Sequence, residues 1–301
     1  MMLRFPYYPG CTLKQWARDF ETSALAAASH LGIELVEIPR WNCCGAVFSL
    51  TSDNAMRQVG PIRNLIRVQQ MNDEGVLEER RLVTLCSMCF NVLKRANLLV
   101  KSDPEALKLV NSFMDTEPDY QGKVQVIHFL EVLRDILGFQ ELTERVVRPL
   151  EGLRVSAYYG CTLLRPREVG IDDPEAPTVM EDLIAALGAE PVDNPYKSLC
   201  CGSYHTVGKN KEIVAQRIYK ILQGARECGA DLTITSCPLC AYNLQRRQKL
   251  AKRLHPDFRP LPVLYFTQLL ALAFGLEGKA ELAGELRELR SLLSVKFGLK
   301  V

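Results

Sequence analysis

The sequence predicts an α/β protein built from two pseudo-symmetric repeats, each a small, mainly parallel sheet with flanking helices. Three observations carry that prediction. Four blocks recur in the same order: FPYYPGCTLK (5–14) with SAYYGCTLLR (156–165), WNCCGAVFSL (41–50) with SLCCGSYHTV (198–207), LVTLCSMCFNVLKRA (82–96) with TITSCPLCAYNLQRR (233–247), and VIHFLEVLRDILG (126–138) with VLYFTQLLALAFG (263–275). Short β-type runs alternate with helical stretches, which in a compact chain implies parallel strands joined by covering helices. Ten of the eleven cysteines follow the same repeat.

In the first repeat the apolar and β-branched runs Leu3–Tyr8, Glu34–Ile38, Arg81–Leu85 and Val124–Phe129 read as strands. Helical periodicity fills Thr12–Leu31, Asn54–Asn72, Phe90–Val100 and Phe129–Leu137. The second repeat gives strands Arg154–Tyr159, Pro191–Asp193, Leu232–Ser236 and Val263–Tyr265, with helices Thr178–Leu187, Lys211–Glu227 and Ala241–Leu254. Three matched blocks are offset by 150 to 157 residues and the last by 137, because the first repeat carries an extra segment near 103–122. The most apolar stretch, LPVLYFTQLLALAFGL (261–276), is shorter than the ~20 residues a membrane span needs.

The cysteines read C-x31-CC-x41-C-x2-C (Cys11, Cys43, Cys44, Cys86, Cys89) and C-x38-CC-x35-C-x2-C (Cys161, Cys200, Cys201, Cys237, Cys240). Cys11, Cys86, Cys161 and Cys237 each follow a predicted strand and precede a predicted helix, where ligand-binding loops of open α/β sheets converge. Helix N-termini there favour anionic thiolates and sulfides. Gly45 and Gly202 follow the vicinal pairs, where glycine permits positive φ or close approach of backbone to a bulky cluster; an ordinary turn is the alternative.

The chain shows no charged N-terminal region followed by an apolar run and cleavage site, so a cytoplasmic location is expected, and reduced thiols at fixed spacing there are ligands sooner than disulfides. A formal charge of +2 argues against a nucleic-acid partner. Structural zinc takes four ligands, usually from paired CxxC knuckles. Each repeat instead offers five thiolates, one more than zinc or a cubane [4Fe–4S] cluster uses. Iron–sulfur chemistry is the preferred reading. The surplus cysteine then either lies outside the ligand shell or bridges irons in a cluster that is not a simple cube.

The paired repeats, each with a Cys-Cys-Gly core (Cys43-Cys44-Gly45 and Cys200-Cys201-Gly202), resemble the B-type subunit of heterodisulfide reductase and its relatives, from Cys11 to about Gly275. The resemblance implies two noncubane [4Fe–4S] clusters. Cys11, Cys43, Cys44, Cys86 and Cys89 would hold one; Cys161, Cys200, Cys201, Cys237 and Cys240 would hold the other. It also implies a small disulfide or thiol substrate opened between them, each cluster giving one of the two electrons. Implied partners are the C-type subunit, a ferredoxin-like iron–sulfur protein, and the A-type subunit, which contains flavin. On the same resemblance residues 1–150 and 151–276 are the two cysteine-rich CCG repeats, and 277–301 a helical extension. The x41 gap is longer than its counterpart and bears on the geometry of the first cluster.

Two other classes stay open: an electron relay to a quinone, flavin or partner oxidoreductase, and a sulfur-oxidising or sulfur-carrying protein. Beyond the cysteine sets, His205 is a candidate proton donor to a departing thiolate, with a surface role as the alternative. His128 reads as packing and Cys228 as a buried structural thiol. The proline- and charge-rich segment Arg165–Pro177 lengthens the second repeat's first crossover and reads as a surface loop, which could bring Arg165 and Arg167 to an anionic substrate or to a partner subunit. Leu282, Leu286, Leu289 and Leu293 fall on or near one face of a C-terminal amphipathic helix, docked on its own chain or on a neighbour.

Overall fold

Two parallel four-stranded sheets form the frame of the computed structural model, which describes residues 2–46, 54–206, 208, 210–282 and 287–298. The first contains β1 (Leu3–Tyr8), β2 (Ile33–Glu37), β3 (Arg81–Thr84) and β4 (Gln125–His128) in the order β2-β1-β3-β4. The second repeats it with β5 (Arg154–Tyr158), β6 (Glu190–Val192), β7 (Leu232–Thr235) and β8 (Val263–Tyr265), ordered β6-β5-β7-β8. Registers correspond: Tyr7 pairs with Val83 in one sheet and Ala157 with Ile234 in the other. Strands covered on both faces become continuous apolar runs, as in Val263–Tyr265, which is buried throughout.

Three expected helices are interrupted. The helix expected over Thr12–Leu31 is a short Cys11–Gln15 turn followed by Arg18–His30, because Ala17 leaves helical geometry at φ −129° and ψ 49°. Lys14 is meanwhile tied to Glu21 at 2.8 Å and Glu37 at 2.7 Å. After β4 the chain makes one α-turn (Phe129–Glu131) and then a π-helical stretch, Val132–Leu137. The helix expected over Ala241–Leu254 likewise divides into Pro238–Ala241, a π-helical Tyr242–Arg246 and Gln248–Leu254. The extra segment of the first repeat contains Pro104–Phe113, started by Pro104 and by Asp103, whose carboxylate accepts from the Glu105 and Ala106 N–H groups.

The two halves share one hydrophobic core. The apolar stretch after β8 is a helix, Phe266–Ala273, buried along its whole length against Arg18–His30 of the other half. Phe20 stacks on Tyr265 at 4.2 Å, and Ser23 Oγ meets Thr267 Oγ1 at 2.7 Å, satisfying two buried hydroxyls. At the C-terminus Leu282, Leu289 and Leu293 are buried on this same chain; Leu286 lies outside the described residues. No helix among the described residues is long and apolar enough to cross a membrane.

Candidate metal centre

The parallel topology places a cysteine in each of the loops after β1, β3, β5 and β7, and three of the four stand at the start of a helix: Cys11 opens Cys11–Gln15, while Cys86 and Cys237 cap the helices that follow them. Cys161 follows β5 directly after Gly160. The vicinal pairs come in from the loop after the second strand of each sheet. Tyr8 and Tyr158 anchor those loops. Tyr8 Oη donates to the Asn42 carbonyl at 2.9 Å and Tyr158 Oη to the Leu199 carbonyl at 2.6 Å, each carbonyl lying just before a Cys-Cys pair. Asn64 adds a two-way clamp in the first half, accepting from Asn42 N–H and donating to the Asn42 carbonyl, both at 3.0 Å. These anchors were not among the residues the sequence marked, although the Tyr-Tyr pair recurs in both copies of its block.

None of the ten repeat cysteines is in a disulfide. Cys11 Sγ lies 3.7 Å from Cys43 Sγ, and Cys44 Sγ 3.5 Å from Cys89 Sγ. In the second half Cys201 Sγ is 3.5 Å from Cys240 Sγ, and Cys161 shares a hydrogen bond with Cys200. The two sets meet in the middle, where Cys86 and Cys237 are within hydrogen-bonding reach across the boundary between the halves. Exposure is graded: Cys43 is exposed, Cys11, Cys161 and Cys200 are half-buried, and the other six are buried.

Gly45 and Gly202 both have positive φ, 82° and 80°, and this turn aims each N–H back at the first sulfur of the pair, Gly45 to Cys43 at 3.5 Å and Gly202 to Cys200 at 3.4 Å. Gly10 and Gly160 leave room of another kind. A Cβ on Gly10 would come within 3.1 Å of Cys89 Sγ, and one on Gly160 within 3.2 Å of Cys240 Sγ.

Adjacent thiols divide the available protons. The hydrogen bond from Cys161 pulls Cys200 down to about 5 and pushes Cys161 up. Cys44 is lowered, chiefly by its hydrogen bonds with Cys43 and Cys89, and Cys89 is raised by those with Cys44 and Cys86. Cys237 is lowered by Cys240 and Cys86, both raised in turn. Burial, followed by these sulfurs, holds the Tyr8 and Tyr158 phenols protonated. Loading with metal would release the shared protons, since only thiolates ligate.

The seam between the halves departs from symmetry at one peptide. Ser87 N–H donates to the Ser236 carbonyl at 3.1 Å, and their hydroxyls meet at 2.6 Å. The mirror bond would run from residue 238 to the Leu85 carbonyl, but Pro238 has no N–H. His128 supplies the missing donor, its Nε2 bonding Leu85 O at 2.7 Å while Nδ1 accepts from Leu130 N–H. The ring is therefore the neutral Nε2–H tautomer, and burial lowers its pKa to about 3.

Other residues marked by the sequence fall as follows. His205 is exposed on the short turn Ser203–His205 after Cys201-Gly202. Its neighbour Tyr204 leans across the boundary, with Oη 4.0 Å from Met88 Sδ, and burial and then Cys161 and Cys200 raise its phenol pKa. Arg165 and Arg167 are paired within their own loop to Glu175 and Asp173. Cys228 is half-buried, not buried, because it ends the helix Lys211–Glu227 at a turn, where its carbonyl accepts from Arg154 at 3.0 Å.

Among the described residues no three His, Cys, Asp or Glu side chains close on one point as a single ion would require. The fit to a metal group therefore rests on donor chemistry: five thiols per half, no other ligand type in the set, and backbone N–H groups aimed at sulfur. That donor set suits an iron–sulfur centre, whose sulfurs take hydrogen bonds from the protein.

Comparison with known proteins agrees. The cysteine-rich domain family, CCG, matches residues 5–94 and 155–245. The chain belongs to this family, with the domain present twice, and to its branch of B-type heterodisulfide reductase subunits. It is 34% identical, over 93% of its length and 95% of the relative's, to the 8-methylmenaquinol:fumarate reductase membrane anchor subunit of Wolinella succinogenes. It is 30% identical, over 91% of its length and 90% of the relative's, to the B-type subunit of the ferredoxin/F(420)H(2)-dependent CoB-CoM heterodisulfide reductase of Methanosarcina acetivorans. A protein of Archaeoglobus profundus, named for its likeness to the B-type heterodisulfide reductase subunit, is 28% identical over 92% of both chains. In fold, a hypothetical protein from Helicobacter pylori superposes with a TM-score of 0.68 at 11% identity; 90% of this chain is covered, and it spans about half (49%) of that one.

Proposed function

We propose that the chain is the iron–sulfur electron-transfer subunit of a heterodisulfide-reductase-like complex, holding two noncubane [4Fe–4S] clusters and opening or forming a disulfide between them. One observation carries this reading: two five-thiol sets at matching places in the two halves, with the inner members Cys86 and Cys237 within hydrogen-bonding reach across the seam. Bound clusters would supply one-electron chemistry on either side of a sulfur–sulfur bond. The protein's part is to hold the vicinal loops through Tyr8 and Tyr158, to aim the Gly45 and Gly202 N–H groups at sulfur, and to keep the inner thiols away from water. His205, exposed beside the second set, is the proton carrier in this scheme. The partners are a ferredoxin-like iron–sulfur protein and a flavoprotein of the same complex, in the cytoplasm. The test is to reduce the cluster-loaded chain, add a disulfide, and follow thiol release together with the cluster EPR signal. Release of thiol with a thiol-dependent spectrum supports the reading; reoxidation without thiol release overturns it.

A second reading, an electron relay to a quinone, flavin or partner oxidoreductase, draws support from the Wolinella relative, named for a methylmenaquinol reaction.

A further inference from the structure

The pseudo-twofold is broken by an open pocket. A cavity of about 470 Å³ lies between the start of the first half and the CPLC helix of the second, within the range of roughly 300–1,000 Å³ common for small-molecule sites. Thr12, next to Cys11, forms one wall, and Pro238 and Leu239, between Cys237 and Cys240, form another. The mirror position is closed by the chain itself. Asn91, the counterpart of Tyr242, donates to the Thr162 and Arg165 carbonyls, and Arg134 donates to the Ile171 carbonyl. That side buries Leu163, Leu164, Val169 and Ile171. The first half lacks the extra crossover residues that do this, so among the described residues its side stays open.

The walls are predominantly apolar, and the rings of Trp16, Tyr242 and Tyr265 are among them. Trp16 is 75% exposed and Tyr242 44% exposed, an unusual outlay of aromatic surface unless something covers it. The charged lining is a single carboxyl, Asp19, and a single guanidinium, Arg246, which attract one another. Such a pocket offers nothing to a multiply anionic ligand. None of the ten repeat cysteines lines it, so a disulfide seated there would not touch the sulfurs at which it must react. A ring that exchanges electrons at short range needs no such contact.

We propose that this pocket is a second ligand site, separate from the place where a disulfide is opened, and that it binds a flat, uncharged ring carrying a carbonyl or hydroxyl oxygen. The rings of Trp16 and Tyr242 sandwich or edge the ligand, and Asp19 and Arg246 bond its oxygen.

The test uses 2,3-dimethyl-1,4-naphthoquinone, whose substituted ring does not add thiols, in equilibrium dialysis against the cluster-loaded full chain. Saturable binding at one site is expected. Trp16→Ala and Tyr242→Ala, both at exposed positions, should each weaken it about fivefold or more, the scale of a lost ring contact; Tyr204→Ala, outside the pocket, should not. Anthraquinone-2-sulfonate, flat but anionic, should bind at least about tenfold more weakly, and lipoamide, a neutral disulfide without a flat, unsaturated ring, should fail to compete. Absence of saturable binding, indifference to both aromatic substitutions, equal binding of the sulfonate, or competition by lipoamide would each overturn the proposal. Iron content is measured on the same samples, so loss of the clusters and loss of the ring site register separately.

Discussion

Replacing Gly10 with alanine should damage one thiol set and leave the other intact. Gly10 sits at φ 75° and ψ 158°, a region open almost only to glycine, and an alanine there costs on the order of 1–3 kcal/mol in backbone strain. Its Cβ would also stand 3.1 Å from Cys89 Sγ and 3.3 Å from the Tyr8 ring, both buried, so one of them must move. The sum is about 3 kcal/mol, with the displaced atom being a ligand thiol. Gly32→Ala is the control: it too has positive φ, 73°, but no atom within 4 Å of the new Cβ, so it should cost only about 1 kcal/mol and spare the thiols. The assay is urea unfolding followed by circular dichroism, with iron and acid-labile sulfide counted after anaerobic loading. Gly10→Ala should lose about half its iron and Gly32→Ala none; Gly160→Ala, facing Cys240 Sγ at 3.2 Å, should lose the other half. If Gly10→Ala bound iron as the wild type does and unfolded no more easily than Gly32→Ala, the close packing of glycine on ligand would have no consequence and the reasoning would be refuted.

Three further outcomes follow from the same geometry. In the reduced, metal-free chain Cys200 should alkylate with iodoacetamide at pH 6.5 well before Cys161, since the hydrogen bond from Cys161 holds Cys200 near 5 and Cys161 high; peptide mapping reads this, and equal rates would contradict it. His128 has its folded pKa lowered to about 3, so its neutral form is matched to the fold above the unfolded value near 6.5 and stability falls as pH drops below that value. From pH 6.5 to 4.5 the loss is about 2 kcal/mol. His128→Gln, which keeps a donor for Leu85 O, should lack that slope in acid unfolding curves, and an unchanged slope would remove the assignment. Tyr8→Phe and Tyr158→Phe should each cost about 1 kcal/mol by freeing one carbonyl before a vicinal pair. Each should also slow cluster loading in its own half only, seen as biphasic iron uptake; a uniform slowing would argue against separate anchors.

Strand positions were legible because a parallel, doubly covered sheet leaves continuous apolar runs; all eight strands fall within about a residue of the expected bounds. The cysteine sets were legible because their spacing repeats. The break at Ala17 was not, since alanine is a strong helix former and nothing in the local composition interrupts the periodicity there. The π-helical turns leave no compositional mark. At the seam, Pro238 stood in plain view opposite Ser87, but its meaning appeared only when the halves were placed together and His128 was seen to serve the carbonyl that proline cannot reach. Tyr8 and Tyr158 could have been marked from their recurrence, yet tyrosine after a strand signals packing as readily as anchoring. The pocket required knowing that residues 162–171 fold back on one side of the pseudo-twofold, with nothing equivalent on the other among the described residues.

The central claim is that each half of the chain holds its own iron–sulfur cluster and that the pair acts on sulfur. It is tested most directly by anaerobic loading followed by iron and sulfide analysis with EPR, before and after adding thiol. The account predicts about eight irons per chain, as two four-iron clusters require, falling to about four when Cys44 and Cys89 are replaced by serine, with a spectrum that thiol perturbs. Zinc in place of iron, or cubane-like signals indifferent to thiol, would contradict it.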